Sequence, residues 1–375
     1  MNDNIRFQPV GPENPKAVIK VISAGGGGGN AVKFMQDEPL DNIQDVEFIC
    51  TNTDVQDLIN INNIQTLQIG KEKTKGLGAG NIPDVGKQAA TEDKEKIAEI
   101  CRGADMIFLT AGMGGGTGTG ALPVIAEEAK KQGALTVAVV TKPYSYEGAR
   151  RMQNAVLGIK ELKKHADSLI VISNDKLEET AGDDLDFEDA FKLANNVLRD
   201  AVLGISRLIT TKGVVNLDFA DIKTVMSAKG DAMMGTGHAR GEDRAQKAVE
   251  MALNCPLLDD INIKGAQGIL INVMGAKIKN SELRLISETI TKGAGADAHI
   301  INGITRDLNA GDELSVTFVA TGLSSGNKPM LKIETATNDK NSIPDFNPNH
   351  VSDSAKQEFN EELYDIPAYV RKQVH

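Results

Sequence analysis

The sequence predicts an α/β protein with a parallel sheet, a long central helix and a smaller α+β carboxyl-terminal domain. In the first half, short apolar runs alternate with helical stretches and glycine-rich loops, which is typical of a parallel sheet covered on both faces. One apolar stripe at helical spacing follows over 186–212, and beyond it the predicted strands and helices no longer alternate regularly. These observations indicate two domains joined by a helix.

The first domain, 17–185, is expected to contain five strands, each a near-continuous apolar run of the length that a buried strand needs. They lie at 18–23, 46–51, 106–110, 136–141 and 168–173. Helices are expected between them, including 91–102, 121–131 with Pro123 in its first turn, and 151–164.

The central helix is predicted by apolar residues that recur three or four positions apart. They are Phe187, Phe191, Ala194, Leu198, Ala201, Ile205 and Leu208. Asp184 or Asp186 could cap its start, and Gly213 follows its end. The second domain, 213–328, should contain helices at 241–253 and 281–292 and strands at 268–274, 298–305 and 314–321.

Both ends of the chain differ in composition from the domains. Residues 1–16 are polar with three prolines and predict a flexible arm, and 329–358 predict a disordered linker. Apolar residues return over 359–375, which fits a frayed terminus and a partner-binding peptide equally well.

Charge and cysteine content exclude several classes of protein. A net charge of −11 argues against nucleic-acid and membrane-surface binding, since both need a basic surface. Three cysteines far apart suggest neither a disulfide framework nor a metal cluster. The polar start lacks the apolar core of a signal peptide, and no apolar run has the length to span a bilayer. We therefore expect a cytoplasmic protein without direct membrane insertion.

Two glycine loops carry the main indication of chemistry. GGGTGTG at 114–120 joins a predicted strand to a predicted helix, and GGGGG at 25–29 does the same after the first strand. Backbone N–H groups and helix N-termini in such loops hold phosphate. A tight turn or a flexible linker is the alternative, but the hydroxyls of Thr117 and Thr119 favour phosphate. The earlier loop also fits a dinucleotide fingerprint loosely.

Two phosphate loops in one domain suit a nucleoside triphosphate. No GxxxxGK[ST] motif occurs, so backbone N–H groups, helix dipoles and Mg²⁺ would have to balance the phosphate charge.

Polar residues follow three more of the predicted strands, at the sheet edge where open α/β proteins bind ligands. These segments are 52–54, 143–148 and 174–175. Glu147 and Arg151 could contact ribose and phosphate. Phe191 and Asn195, one helical turn apart, offer a stacking ring and an amide for a purine, although Phe191 could equally belong to the core.

Asp218 and Asp221 are candidate catalytic acids. They begin a predicted helix, so a capping role is the simpler interpretation of the segment alone. The predicted pocket, however, lacks a group that positions water for phosphoryl transfer. Both acids lie beyond the long helix, and if that helix carries them to the far end of the molecule, they could reach such a pocket only on another subunit.

Together these segments resemble the FtsZ family of bacterial tubulin-like cell-division GTPases. The resemblance runs from about residue 19 to 323 and returns in the tail. Its motifs are TAGMGGGTGTGALP, NTD at 52–54, GLGAG at 76–80, TKPYSYEG at 141–148, NLDFAD at 216–221 and the terminal IPAYVRKQ. It implies a tubulin-like GTPase domain, a central helix and a GTPase-activating carboxyl-terminal domain.

The resemblance also implies GTP or GDP with Mg²⁺ on the phosphates and a set of site residues. Guanine would contact Asn174, Phe191 and Asn195, and ribose would contact Glu147 and Arg151. The phosphates would lie on Gly26, Gly27, Gly114, Gly115, Gly116, Thr117 and Gly118, with Asn30 also at the nucleotide. Asn216, Asp218 and Asp221 would act on the GTP of the neighbouring subunit.

Such head-to-tail contacts do not close and so build filaments. The family's filaments form the division ring at midcell, and its terminal peptide, here from Asp365 to Gln373, binds membrane tethers and regulators such as FtsA and ZipA. Four positions depart from the family pattern: Ser23, Asn81, Ile82 and Ala149. A scaffold that binds nucleotide without hydrolysis and a nicotinamide-dependent oxidoreductase are the alternative functions.

Overall fold

The computed structural model describes residues 17–37, 46–181, 186–210, 218–228, 230–255, 263–295 and 298–323. The expected arm (1–16), linker (329–358) and terminal peptide (359–375), and with them Asp365 to Gln373, lie outside the described residues. Asn216 also lies outside them.

Six parallel strands form the first part of the sheet, in the order β3-β2-β1-β4-β5-β6. The five predicted strands are confirmed, and β3 is an additional short strand at the edge. Their bounds are β1 Ile19–Ala24, β2 Val46–Asn52, β3 Gln65–Gln68, β4 Met106–Gly112, β5 Leu135–Lys142 and β6 Ser168–Ser173. The central strands β4 and β5 are buried along almost their whole length, as continuous apolar runs require.

Helices cover both faces of these strands. They are α1 Gly25–Asp37, α2 Val55–Ile59, α3 Lys71–Thr74, α4 Pro83–Glu92, α5 Lys94–Cys101, α6 Thr117–Lys131, α7 Ala149–Leu162 and α8 Asn174–Ala181. The prediction of a single helix at 91–102 is wrong, because the helical conformation is interrupted at Asp93, between α4 and α5. The helix expected from residue 121 begins at Thr117, so Pro123 lies in its second turn and not in its first.

The central helix α9, Phe187–Thr210, leads to the remaining elements. These are α10 Phe219–Met226, β7 Asp231–Ala239, α11 Arg244–Leu253, β8 Gly268–Gly275, α12 Asn280–Ala294, β9 His299–Arg306 and β10 Leu314–Leu323. The strand order is β7-β10-β8-β9, with β10 antiparallel to both β7 and β8 and with β8 parallel to β9. This mixed sheet confirms the α+β expectation, and β7 is a strand that the sequence pattern did not reveal.

The two parts of the sheet meet at one residue pair. Ile170 of β6 is paired with Ala232 of β7, and α9 packs across the junction. Leu198 and Ala201 of α9 belong to one hydrophobic core that extends from α1 to Val319 of β10. The domain boundaries at 185 and 213 stay a prediction, since one sheet passes through both parts. In the described part of the chain, no helix is long and apolar enough to cross a membrane.

Candidate nucleotide-binding site

The two glycine loops converge at the carboxyl ends of the adjacent strands β1 and β4. Helix α1 begins at Gly25, directly after β1, and α6 begins at Thr117, five residues beyond the last residue of β4. A Cβ atom added at Gly25 would lie 3.0 Å from the backbone nitrogen of Gly118. Two helix N-termini therefore point their unpaired N–H groups at one place, which is an anion-binding arrangement.

The glycines of GGGTGTG serve two different purposes. Added Cβ atoms would meet backbone at 2.9 Å for Gly116, 2.8 Å for Gly118 and 1.9 Å for Gly120. These three residues are glycine because α6 packs against the segment 79–87 and against β1 and β4. Gly115 differs, since its Cβ would meet nothing closer than Asn81 Oδ1 at 3.9 Å. Its backbone is accessible to a ligand.

The predicted phosphate-binding residues likewise fall into an exposed group and a buried group. Gly26, Gly27 and Gly115 are partly or fully exposed, whereas Thr117 is buried. The Thr117 hydroxyl shares a hydrogen bond of 2.6 Å with the hydroxyl of Thr53, which follows β2. The exposed glycines are thus the ones positioned to donate N–H groups to phosphate, and the hydroxyl pair fixes the start of α6. Gly114, Gly116 and Gly118 are buried in the same loop.

The second hydroxyl of the motif, that of Thr119, is hydrogen-bonded within the glycine loop. Thr119 Oγ1 accepts a hydrogen bond of 2.8 Å from the Gly114 backbone N–H. Gly114 has a φ of +108°, a conformation that residues with a Cβ avoid. The Thr119 hydroxyl, which in the sequence alone indicates phosphate binding, therefore stabilises the glycine turn itself.

A cleft of about 420 Å³ lies beside the first glycine loop, between α1, α2 and the end of β2. Its lining includes Gly26, Asn30 and Lys33 on one side and Asn52 and Asp57 on the other. Asn52 Nδ2 donates to Asp57 Oδ2 at 2.8 Å, which holds this carboxylate next to Gly26. The exposed Asn30 and Lys33 add a polar and a positive group next to the phosphate loop.

The residues expected at a base and a ribose come together at the ends of β5 and β6. Asn174, the first residue of α8, is buried, and its Oδ1 has no hydrogen-bond partner among the described residues. The side chain of Phe191 is near the amino end of α9 and is 38% exposed, so it is not a core residue. Asn195 follows one turn later and is half-buried. A planar ligand can reach the Phe191 ring.

Glu147 and Arg151 form an ion pair beside this group. Arg151 Nη1 lies 2.5 Å from Glu147 Oε2, and Glu147 Oε1 accepts from the Tyr144 backbone N–H at 2.9 Å. The turn is tied to α8, because Ser145 N–H donates to Asp175 Oδ1 at 2.7 Å. The predicted ribose residues are therefore held in place next to the predicted base residues.

The predicted catalytic acids lie elsewhere in the fold. Asp218 caps α10, where its Oδ1 accepts from the Ala220 N–H at 3.2 Å, and Asp221 stands in the first turn. Both are exposed. The capping role expected of Asp218 is confirmed, and it leaves both carboxylates open to solvent. The helix is anchored through Ile222, Val225 and Met226, which are buried.

The structure also presents Tyr144, a residue that the sequence pattern did not single out. It is 1% exposed, and its ring lies edge-on to Phe191 with 5.6 Å between ring centroids. A tyrosine in a loop that follows a strand gives no sign of burial in the sequence. The only available signal was the repeated Tyr in PYSY.

No ready-made metal site accompanies these groups. Among the described residues, no cluster of three or more His, Cys, Asp or Glu could hold a metal ion. The expected Mg²⁺ on the nucleotide phosphates stays a prediction, and Mg²⁺ commonly takes one or two protein carboxylates together with phosphate and water.

Comparison with known proteins identifies the family. The Tubulin/FtsZ family GTPase domain matches residues 18–182, and the FtsZ family C-terminal domain matches 230–324. The cell division protein FtsZ of Buchnera aphidicola subsp. Baizongia pistaciae is 46% identical over 98% of this chain and 99% of its own length. That of Azotobacter vinelandii is 51% identical over 88% of this chain and 83% of its own.

Solved structures agree with this result. An FtsZ dimer from M. jannaschii superposes with a TM-score of 0.77 at 45% identity, and the match covers 82% of this chain and 89% of that chain. CetZ1 from Haloferax volcanii, at 20% identity and a TM-score of 0.72, shares the fold. The match to a GTPase domain leaves the alternatives of a non-hydrolysing scaffold and an oxidoreductase without support. The chain belongs to the FtsZ family and is a tubulin-like cell-division GTPase.

Proposed function

We propose that the phosphates of GTP or GDP bind where the two glycine loops meet. The observation that carries this proposal is the open backbone at Gly26, Gly27 and Gly115 beside two helix N-termini. These N–H groups and helix ends supply a positive potential without a P-loop lysine. The buried Gly114, Gly116, Thr117 and Gly118 support the loop from behind, and Asn30 borders it.

The nucleoside then extends toward the ends of β5 and β6. Phe191 offers an exposed ring for stacking on guanine, and the unpartnered Asn174 Oδ1 accepts from its N–H groups. Asn195 lies one turn from Phe191 and adds an amide. Glu147 can accept from ribose hydroxyls, and Arg151 neutralises the carboxylate.

We place hydrolysis at a contact between two subunits. Asp218 and Asp221 are exposed on α10, and with Asn216 they would meet the GTP of the next subunit and orient the attacking water. Mg²⁺ on the phosphates would neutralise the charge that develops on the leaving group. A contact of this head-to-tail kind repeats without closing, so the chain assembles into filaments.

Dilution tests the shared site. If each active site needs two subunits, GTP turnover per subunit falls toward zero below a critical protein concentration. Phosphate release is measured over a hundredfold range of protein concentration with saturating GTP and Mg²⁺. Constant turnover per subunit would refute the shared site.

A matched pair of substitutions tests the acids. Asp221→Ala should abolish hydrolysis and leave GTP binding nearly intact, because the carboxylate belongs to the other subunit's site. Glu250→Ala removes an exposed acid of α11 and should change neither. A large loss of GTP binding in Asp221→Ala would place the carboxylate in its own subunit's pocket instead.

We further propose that the filaments form the division ring at midcell, in the cytoplasm, and that the peptide from Asp365 to Gln373 binds tethers such as FtsA or ZipA. Light scattering should rise with GTP and not with GDP. A chain that ends at residue 358 should still assemble and should lose tether binding. Loss of assembly in that truncated chain would contradict the separation of the two roles.

A further inference from the structure

The most deeply buried tyrosine of the described residues carries a hydroxyl without a partner. Tyr144 is 1% exposed, and its OH makes no hydrogen bond with any described residue. A buried hydroxyl without a partner is unfavourable, because it has lost the hydrogen bonds that water gave it. Such a group beside residues expected to bind a nucleoside indicates that the ligand completes its bonding.

The ring of Tyr144 is fixed from several sides. Tyr146 stacks on it with 4.9 Å between centroids and 10° between planes, and Phe191 meets it edge-on at 73°. Its backbone N–H donates to Glu147, one of the predicted ribose residues. The ring therefore stands between the residue expected to stack on the base and the residue expected at the ribose.

The hydroxyl is in the protonated form that can donate. Burial raises the pKa of Tyr144 to about 12, and the neighbouring Tyr146 and the carboxylates of Glu178, Glu147 and Asp175 act in the same direction. At neutral pH the group therefore offers one O–H donor to an acceptor.

A second unpartnered atom lies at the end of the adjacent strand. Asn174, 4% exposed, follows β6, whereas Tyr144 follows β5, and the two strands are paired up to Lys142 and Ser173. Its Oδ1 accepts, so the two residues supply one acceptor and one donor after neighbouring strands, and the Tyr144 ring contacts Phe191. A guanine nucleoside presents both N–H donors and N or O acceptors to such a pair.

We propose that the Tyr144 hydroxyl donates a hydrogen bond to the nucleoside half of the bound guanine nucleotide and is a specificity-determining residue of this site. The inference rests on the proposed function, in which the nucleotide base lies against Phe191. It adds a neutral hydroxyl donor to the nucleoside part of the site.

Calorimetric titration with GDP tests the proposal, since GDP carries the same nucleoside and has no γ-phosphate to lose. Tyr144→Phe removes only the hydroxyl and should raise the Kd for GDP about 3- to 10-fold, the value of one neutral hydrogen bond. Tyr146→Phe is the matched control, because its side chain is 57% exposed, and its Kd should stay within about twofold.

Thermal unfolding of the nucleotide-free protein separates binding from packing. Removal of an unpartnered buried hydroxyl should leave the Tm of Tyr144→Phe equal to that of the parent or raise it. The Tm increase caused by added GDP should be smaller in Tyr144→Phe than in the parent. A lower Tm without nucleotide, together with weaker binding, would overturn the proposal in favour of a structural role.

Asn174→Ala distinguishes failure of this inference from failure of the proposed function. If Asn174→Ala weakens GDP binding and Tyr144→Phe does not, the site stands and the role of Tyr144 is refuted. If neither changes the Kd, the proposed placement of the nucleoside fails as well. Titration with 2′-deoxyGDP then narrows the acceptor: a non-additive loss with Tyr144→Phe assigns it to the ribose 2′-hydroxyl, and an additive loss excludes that hydroxyl.

Discussion

Substitution of Gly120 by alanine should destabilise the fold, although alanine is the better helix former. A Cβ atom at Gly120 would lie 1.9 Å from the Pro83 carbonyl oxygen and 2.6 Å from the Lys87 nitrogen. Both are backbone atoms of α4, which cannot move aside as a flexible side chain can. Helices α4 and α6 would have to separate by about 1.5 Å to restore van der Waals contact.

The magnitude follows from two opposing effects. Overpacking of a tight core costs about 1–3 kcal/mol and sometimes more, whereas glycine to alanine inside a helix gains about 1 kcal/mol. A clash with backbone at this distance should cost an amount at the upper end of the overpacking range, so we expect a net loss of about 2 kcal/mol in the free energy of unfolding. For a folded part of this size, that loss lowers the Tm by about 3 °C.

Gly115→Ala is the matched substitution in the same motif. The nearest atom to its Cβ would be Asn81 Oδ1 at 3.9 Å, and its φ is not positive, so the nucleotide-free fold should keep its Tm within about 1 °C. The methyl group would instead enter the space proposed for phosphate. We expect the Kd for GDP to rise at least about tenfold, the equivalent of 1.4 kcal/mol.

Circular dichroism and calorimetry separate the two outcomes. The chain has no tryptophan, so unfolding is followed at 222 nm and not by indole fluorescence. The reasoning would be refuted by a Gly120→Ala protein as stable as the parent, or by a Gly115→Ala protein that binds GDP normally. Either result would mean that the loop geometry does not divide the glycines as described.

Three further outcomes are expected. Glu282→Gln should destabilise the fold by about 3 kcal/mol in urea titrations, because it removes the buried ion-pair partner of Arg244 and leaves only the exposed carboxylate of Asp312 to balance the buried guanidinium. Burial raises the pKa of Glu282, but hydrogen bonds from Arg244 and a backbone N–H outweigh it and lower the pKa. This stabilisation is thus complete above about pH 4.3, the unfolded value, and is lost as pH falls through the folded pKa, a loss that Glu282→Gln should not show. Iodoacetamide at pH 8, followed by mass spectrometry, should label Cys255 before Cys101, since burial raises the pKa of Cys101 to about 12. Asp218→Asn keeps a capping oxygen and should retain the Tm, whereas Asp218→Ala should lose about 1 kcal/mol; equal stability of the two variants would contradict the capping role.

The sequence predicted the elements whose local pattern agrees with their final environment. Strands β4, β5 and β6 are mostly apolar because helices cover both faces, so composition and burial largely coincide. Strand β7 escaped detection because it contains Gly235 and Gly237, which read as a loop. Their added Cβ atoms would lie 2.2 and 2.1 Å from carbonyl oxygens of α11, so tertiary packing requires glycine there.

The first residue of a helix is likewise hard to predict from sequence where tertiary packing determines it. Helix α6 begins within the glycines of its own loop because close packing of Gly118 against β1 and β4, and of Gly120 against α4, outweighs the poor helix propensity of glycine. The site residues on loops after strands could be predicted, because topology places those loops at one edge. The buried state of Tyr144 could not, since it depends on contacts with Tyr146 and Phe191 that no local pattern encodes.

The junction between β6 and β7 has a mechanical consequence. One main-chain pair, Ile170 with Ala232, joins the two parts of the sheet, and the other connections include the apolar surfaces of α9 and α10 and the Lys163–Asp231 ion pair. A hydrogen-bonded ladder fixes direction, whereas apolar contact is non-directional and resists mainly separation. Pulling the two parts apart would expose this shared core to water, whereas turning one against the other would break one ladder pair and the Lys163–Asp231 ion pair. The junction between the two parts of the sheet therefore resists separation more strongly than it resists rotation.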